Sequence, residues 1–139
     1  DTVPTALIPI ADRPMLAHSI SSLRRQGVTK FVLCRGWQGS AFDDHVADLG
    51  DGVSFVDCRD FASTGMLESL RLALGHLDEG GFYVSYGDII FRPSVARRLR
   101  ESLGGVSVVV NAAMPGSQSK GFEDVEAVTT SGDGSARVV

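Results

Sequence analysis

The sequence predicts an α/β domain built on a mostly parallel sheet, and three observations predict it. Apolar runs of strand length alternate with amphipathic helical segments from Asp12 to Val110. Those runs are continuous rather than alternating, which suits strands covered on both faces. Prolines and capping residues open the helical segments and glycines close them.

The elements follow in order. Asp12-Arg13-Pro14 supplies a capping acid and an early proline for a first helix, whose stripe is Leu16, Ile20 and Leu23 and whose stop is Gly27. Lys30 to Cys34 is an apolar strand. A weaker helix covers Ser40 to Leu49, with Phe42, Val46 and Leu49 in register, and Val53 to Val56 is a short strand. Ser63-Thr64 can cap a helix lined by Met66, Leu70, Ala73 and Leu77. Phe82 to Tyr86 is a strand leading to Asp88. Pro93 opens a helix with Ala96, Leu99 and Leu103 inward, Gly104-Gly105 ends it, and Val106 to Val110 is a fourth strand. The order implies right-handed crossovers with helices on both faces. Beyond Asn111 comes a loop-like stretch, Ala112 to Gly121. Two strands follow, Val125 to Thr130 and Ala136 to Val139, joined by the hairpin signal Ser131-Gly132-Asp133-Gly134. No internal repeat and no linker divides the chain, so residues 1–139 read as one domain.

Tyr83-Val-Ser-Tyr-Gly-Asp-Ile-Ile-Phe91 is the most informative stretch, because an apolar run is interrupted by Gly87-Asp88. A carboxylate where the core wants to bury a strand is costly unless a cation or hydrogen bonds compensate it. Asp88 is therefore either a metal ligand at the mouth of a sheet or the cap of a turn. Ligands of open parallel sheets bind beyond the carboxyl ends of the strands, which favours the first.

The totals set the class. At 139 residues and 43% apolar the chain supports one modest core. Thirteen basic and seventeen acidic residues leave a net charge of −4, which argues against nucleic acid or an anionic membrane as partner. No apolar stretch approaches the roughly 20 residues of a spanning helix, and Asp1-Thr2-Val3-Pro4 does not begin a secretory signal. Cys34 and Cys58 lack metal-ligand spacing and read as buried free thiols. A cytoplasmic protein is expected. Both ends look cut, because no strand precedes the first helix and Arg137-Val138-Val139 leads nowhere.

Pro4 to Leu16 resembles the "PKPLLPVNGKPLL" segment of nucleotidyltransferases that act on sugar phosphates and phosphocholine. Gly27 to Trp37 resembles their "GI-DIVVVTGY" strand and turn, Phe61 to Leu70 their "Y-TNNLYSL" loop, and Tyr86 to Phe91 their "NGDVVF" strand. Glu123 to Val139 resembles the later strand and hairpin. The resemblance covers nearly the whole chain, and its motifs are specific by their order rather than singly.

It implies a Rossmann-like three-layer sandwich of the nucleotide-diphospho-sugar transferase type. It implies transfer of a nucleoside monophosphate to a phosphorylated alcohol, sugar or phosphonate with release of pyrophosphate. Asp88 would be a Mg²⁺ ligand. Gly65 would lie close to the nucleobase or ribose, or be a simple helix-start glycine. Ser63 and Met66 would flank the same pocket, although the helix stripe makes core the favoured place for Met66, and Tyr86-Gly87 would adjoin it. The Ser85-to-Phe91 wording leans towards the cytidylyl-transferring branch, hence CTP.

Three departures count against activity. The family's opening Gly-rich loop, close to "LAAGxGxRL", has no counterpart, and its second metal-binding Asp would lie past Val139. The family Lys that offsets phosphate charge is here Thr5, a loss on the order of 10²-fold in rate. Lys30 reads as solvated surface, and Lys120 sits in the loop, with phosphate contact its less favoured role. His18, His45 and His76 read as surface or capping residues, and Arg97, Arg98 and Arg100 as a solvated face. The alternative is a catalytically impaired nucleotide-binding or regulatory module of the same fold. A glycosyltransferase would want Asp-x-Asp, and Gly87-Asp88-Ile89 supplies one carboxylate. The base, the acceptor and any homo-oligomeric state are left open.

Overall fold

The computed structural model describes residues 3–102, 105–109, 128–130 and 136–138. It divides into two compact units, Asp1–Ala96 and Arg97–Val139.

In the first unit a short 3₁₀ turn, Thr5–Leu7, precedes two tiny strands, β1 (Pro9–Ile10) and β2 (Arg13–Pro14), paired antiparallel. The two residues between them, Ala11 and Asp12, both take positive φ, at 47° and 62°. That is the pattern of a type I′ hairpin turn. Asp12 therefore does not cap the first helix: it is spent on the turn, and Pro14 is the N-cap of α1 (Met15–Arg24) with no side-chain cap. The expected stripe of Leu16, Ile20 and Leu23 is buried. Gly27 ends the helix at φ 87°, where Val28 N donates to Leu23 O and Gly27 N to Arg24 O. This pairing is a Schellman motif, and its left-handed residue is glycine because a Cβ would be penalised there.

β3 (Phe31–Arg35) and β4 (Val53–Asp57) form a parallel pair with Phe31 opposite Val53 and Arg35 opposite Asp57. Between them run a 3₁₀ segment, Gly39–His45, and the short helix α2 (Val46–Leu49). Of the stripe expected there, Phe42 and Leu49 are buried and Val46 is exposed. The alternation of the strands sorts the pair's two faces. Phe31, Leu33, Val53 and Phe55 belong to or pack on the core formed with Leu7, Leu16, Ile20, Phe42 and Leu49. Cys34, Val56 and Cys58 face α3 (Met66–Leu74), where Cys34 Sγ donates to Ser69 O at 3.2 Å. The sheet is thus flanked on both sides, as an α/β layer requires.

Other expectations are corrected. Phe82–Tyr86 is no strand: among the described residues it joins no ladder, and Phe82, Val84 and Tyr86 are 49%, 56% and 46% exposed. A central strand needs a paired neighbour and cover on both faces. Here Tyr83 alone of the five is anchored inward, its hydroxyl donating to Ala96 O at 3.3 Å. α3 is capped by Gly65 rather than by Ser63 or Thr64, with no side-chain cap bond. Cys58 is buried but Cys34 is exposed, because α3 covers the end of β3 only in part. His18 donates to Ile10 O at 2.8 Å and His45 pairs with Asp48, which keeps both in structural roles.

Helix α4 (Pro93–Glu101) starts at the expected proline and buries Ala96, while Arg97, Arg98 and Arg100 are exposed. In the second unit Val106–Val109 is not a strand, and Val106 is 88% exposed. β5 (Val128–Thr130) and β6 (Ala136–Val138) pair antiparallel with Val128 opposite Val138, which agrees with the expected hairpin. Leu103, Gly104, Val110, the loop 112–121 with Lys120, residues 125–127, the turn Ser131–Gly134 and Val139 lie outside the described residues. Among the described residues no helix is long and apolar enough to cross a membrane.

Candidate functional site

Gly87 and Asp88 occupy a turn, and the first helix holds the chain just after it. The buried Ser19 donates from Oγ to Ile89 O, and the buried Ser22 donates to Phe91 O at 2.9 Å. Both hydroxyls sit on α1 one turn apart, so the helix pins residues 89–91 along its length. Gly87 is pressed against the 3₁₀ turn: a Cβ built on it would stand 3.2 Å from Ala6 Cβ and 4.0 Å from Leu16 Cδ1. Glycine is needed there for close approach. Ala6 and Gly87, distant in sequence, are thereby neighbours.

Asp88 is exposed, and its carboxylate makes no hydrogen bond or ion pair with another described residue. It caps no helix, since α4 begins at Pro93. Thr5 is exposed, and Tyr86, two residues before Asp88, is 46% exposed. Among the described residues no group of three or more His, Cys, Asp or Glu is arranged to hold a metal. A Mg²⁺ ion is commonly held by one or two carboxylates, with water and substrate phosphate completing the octahedron. A single free carboxylate at an open turn fits that requirement, and it is the only protein ligand the described residues offer at this place.

The loop Ser63–Met66 forms a separate part. Ser63 Oγ and Thr64 Oγ1 both donate to Asp60 O, at 3.1 and 2.9 Å, which tightens the turn before α3. Gly65 is extended and open: a Cβ there would meet nothing within 4 Å. Met66 is 45% exposed, so the core alternative for it is overturned. Among the described residues no hydrogen bond joins this loop to the Asp88 turn.

The carboxyl ends of β3 and β4 open into two cavities that the motifs did not indicate. The larger, about 330 Å³, is lined by Arg35, Gly36, Gly39, Ser40, Asp57, Cys58, Arg59 and Phe61. The smaller, about 240 Å³, is lined by Asp57, Arg59, Asp60, Thr64, Glu68, Arg71 and Leu72. Neither is lined by Thr5, Ser63, Gly65, Met66, Tyr86, Gly87 or Asp88. Arg35 is a fixed wall rather than a free cation. Its Nε donates to Asp57 and its Nη1 to Asp43, both at 2.6 Å, and its guanidinium lies 4.5 Å from the Phe55 ring centre. The Asp57 and Asp43 hydrogen bonds hold it protonated above its ordinary range. Arg71 is engaged as well, in a bidentate pair with Glu68 at 2.7 Å; that bond lowers the Glu68 pKa. Arg59, on the wall shared by both cavities, has no ion-pair partner among the described residues. The signal for this set was present in Arg35-Gly36 after one strand and Asp57-Cys58-Arg59 after the next. The pairing of those strands supplies the rest.

A family model described as a MobA-like NTP transferase domain matches residues 3–121. The chain belongs to this family of nucleotidyltransferases. The MobA-like NTP transferase match carries the α/β nucleotide-diphospho-sugar transferase fold with it, of which the β3–β4 pair and its flanking helices are a part. Among curated proteins, the CMP-5'-(3-aminopropyl)phosphonate synthase of Streptomyces rubellomurinus is 36% identical over 102 residues, 69% of this chain and 15% of that protein. The probable mannose-1-phosphate guanylyltransferase 2 of Oryza sativa subsp. japonica is 26% identical over 133 residues, 91% of this chain and 37% of that protein. The bifunctional protein GlmU of Symbiobacterium thermophilum is 31% identical over 108 residues, 76% of this chain and 21% of that protein. The matched stretches thus span 15% to 37% of these relatives' lengths. No solved structure gives a significant match.

Proposed function

We propose that this MobA-like chain carries nucleotide and metal-binding residues of an enzyme that transfers a nucleoside monophosphate, CTP being the favoured donor. The acceptor is a phosphorylated small alcohol or sugar, or a phosphonate. One observation carries the reading: Ala6 packs on Gly87, which brings their chain neighbours Thr5 and Asp88 to the same part of the molecule, while the Asp88 carboxylate stays exposed and uncommitted. The name of the Streptomyces relative, a CMP-phosphonate synthase, supports the choice of CTP and of a phosphonate-type acceptor.

The chemistry is an in-line displacement. An acceptor phosphate or phosphonate oxygen forms a bond to the α-phosphorus of the nucleotide, the bond to the bridging oxygen breaks, and pyrophosphate leaves. Bound Mg²⁺ would supply neutralisation of the phosphate charge. Asp88 would hold the ion, Thr5 would offer a hydroxyl to a phosphate oxygen, and Ser63, Gly65 and Met66 would border the base. Tyr86 and Gly87 shape the turn that presents Asp88. In this reading no protein nucleophile is used.

Thr5 favours a second reading, a nucleotide-binding or regulatory module with impaired transfer. A hydroxyl lacks the charge that a lysine would bring, and Lys30 is already paired with Asp78 at 2.8 Å. Pyrophosphate release with CTP, UTP, GTP and dTTP, each with Mg²⁺ and a panel of phosphorylated and phosphonate acceptors, separates the two. Turnover that disappears in Asp88→Asn supports the enzyme. Magnesium-dependent nucleotide binding without turnover supports the module. Absence of binding to every nucleotide at millimolar concentration refutes both.

A further inference from the structure

Resting on the reading of Asp88 as the metal ligand, we propose that Ser19, seconded by Ser22, is a positioning residue. It holds the Asp88 carboxylate where a Mg²⁺ ion can be shared with the phosphates of a bound nucleotide. Three residues of α1, each three apart, meet every second residue of the chain around Asp88. Leu16 faces Gly87, where an added Cβ would stand 4.0 Å from its Cδ1. Ser19 Oγ donates to Ile89 O, and Ser22 Oγ donates to Phe91 O at 2.9 Å. Residues three apart share a face of a helix, so one face of α1 makes all three contacts. The residues between the held ones, Asp88 and Ile90, are exposed. Asp88 is thus fixed through the backbone on either side while its carboxylate stays free.

Packing alone does not call for these hydroxyls. Ser19 and Ser22 are buried in a helix whose other buried positions are Leu16, Ala17, Ile20 and Leu23. Alanine would occupy either place with a better helix propensity. A helical serine can also spend its hydroxyl within its own helix, as Ser21 does on Ala17 O. Ser19 and Ser22 reach instead to carbonyls 70 and 69 residues further along the chain.

A lone carboxylate takes up a free ion wherever it points. Its position counts when the ion must also meet phosphates that are held elsewhere. Ordering Asp88 in the fold removes that cost from binding. Ile89 is bonded directly to Asp88 and Phe91 lies three residues on, so Ser19 should govern the carboxylate more than Ser22 does. Stability should follow the opposite order. The Phe91 carbonyl is held against the core, whereas Ile89 is 42% exposed and water can serve its carbonyl. The opposed orders separate positioning from mere support.

The test is calorimetric titration of the full chain with CTP, and with UTP, GTP and dTTP in parallel, once in Mg²⁺ and once in EDTA. The ratio of the two affinities is the gain that the ion brings. Ser19→Ala should lower this gain about tenfold. Ser22→Ala should lower it less and Ser21→Ala not at all, and the affinities in EDTA should stay alike. In Asp88→Asn the gain should be absent, and adding Ser19→Ala should take nothing further. Equal gains in Ser19→Ala and Ser21→Ala, or losses that follow the order of stability, overturn the positioning role while the reading of Asp88 stands. No gain with any nucleotide in the unsubstituted protein overturns the reading of Asp88 and the positioning role with it. The comparison of Ser19→Ala with Ser21→Ala decides even if Ser22→Ala fails to fold.

Discussion

Replacing the serines of α1 one at a time tests whether that helix holds the Asp88 turn. Ser22 is buried and its hydroxyl donates to the carbonyl of Phe91, which is partly buried against the core. Without the hydroxyl that carbonyl has poor access to water, and the cost of an unmet buried group is about 1–3 kcal/mol. Ser19 is equally hidden, but its partner residue, Ile89, is 42% exposed. Water can replace Ser19, so the loss falls to about 1 kcal/mol. Either substitution returns about 0.5 kcal/mol through the better helix propensity of alanine. Ser21 is the internal control. Its hydroxyl donates to Ala17 O at 2.7 Å within the same helix and accepts an exposed hydrogen bond from Arg13 Nη2 at 3.2 Å, and no hydrogen bond joins it to the 89–91 segment among the described residues. Ser21→Ala should be neutral or slightly stabilising. The expected order of destabilisation is therefore Ser22→Ala, about 1–2 kcal/mol, then Ser19→Ala, about 0.5 kcal/mol, then Ser21→Ala. Urea unfolding resolves this order, since 1 kcal/mol moves the midpoint by about 0.5 M at a typical slope. If Ser22→Ala unfolds at the same midpoint as Ser21→Ala, the segment after Asp88 is not held by α1, and the placement of Asp88 loses its support.

Four further outcomes are expected. Asp12→Gly should stabilise the β1–β2 hairpin by about 0.5–1 kcal/mol, because it relieves a non-glycine residue at positive φ, and should raise the melting temperature by a few degrees. Gly87→Ala should destabilise by about 1–2 kcal/mol, since its new methyl must displace Ala6, and should weaken nucleotide binding by more than its effect on the melt explains. Thr5→Lys should raise the rate of pyrophosphate release by about tenfold or more if the transferase reading holds, and leave it unchanged if the chain is a binding module. The Cys34 thiol, pushed up to about 11, is neutral at pH 7, so its alkylation rate should climb about tenfold per pH unit from pH 8 to 10. Because the folded value lies above the ordinary 9, Cys34 contributes stability below pH 9 that is lost as pH rises towards 11, a loss that should show in melts across that window.

What the chain disclosed in advance follows from how far each signal reaches along it. The stripe Leu16, Ile20 and Leu23, with Gly27 after it, is local, and the helix and its Schellman end were legible. The β1–β2 hairpin was not. Its strands are two residues each, and Ala11-Asp12 lacks the Asn-Gly signal that marks such turns, so Asp12 was more readily taken for a cap. Phe82–Tyr86 shows the opposite error. Its apolar run carries real strand propensity, but a ladder is a property of two segments, and no described neighbour pairs with it.

The candidate site divides along the same line. Gly87-Asp88 could be singled out because a polar interruption of an apolar run is visible in one dimension. The Arg35 cluster could not, because Asp43, Asp57 and Phe55 reach it from a 3₁₀ segment and a neighbouring strand. Its consequence is chemical. With Arg35 paired to two carboxylates and Arg71 to Glu68, Arg59 is the cavity-lining cation left without an ion pair among the described residues, beside an excess of acidic groups that includes Asp60. An anion drawn to those cavities therefore has one cation to meet, and Arg59→Ala should remove any such binding while leaving the Asp88 turn, and metal-dependent binding there, intact. If Arg59→Ala and Asp88→Asn instead abolish the same binding event with the same ligand, the two places act as one site rather than two.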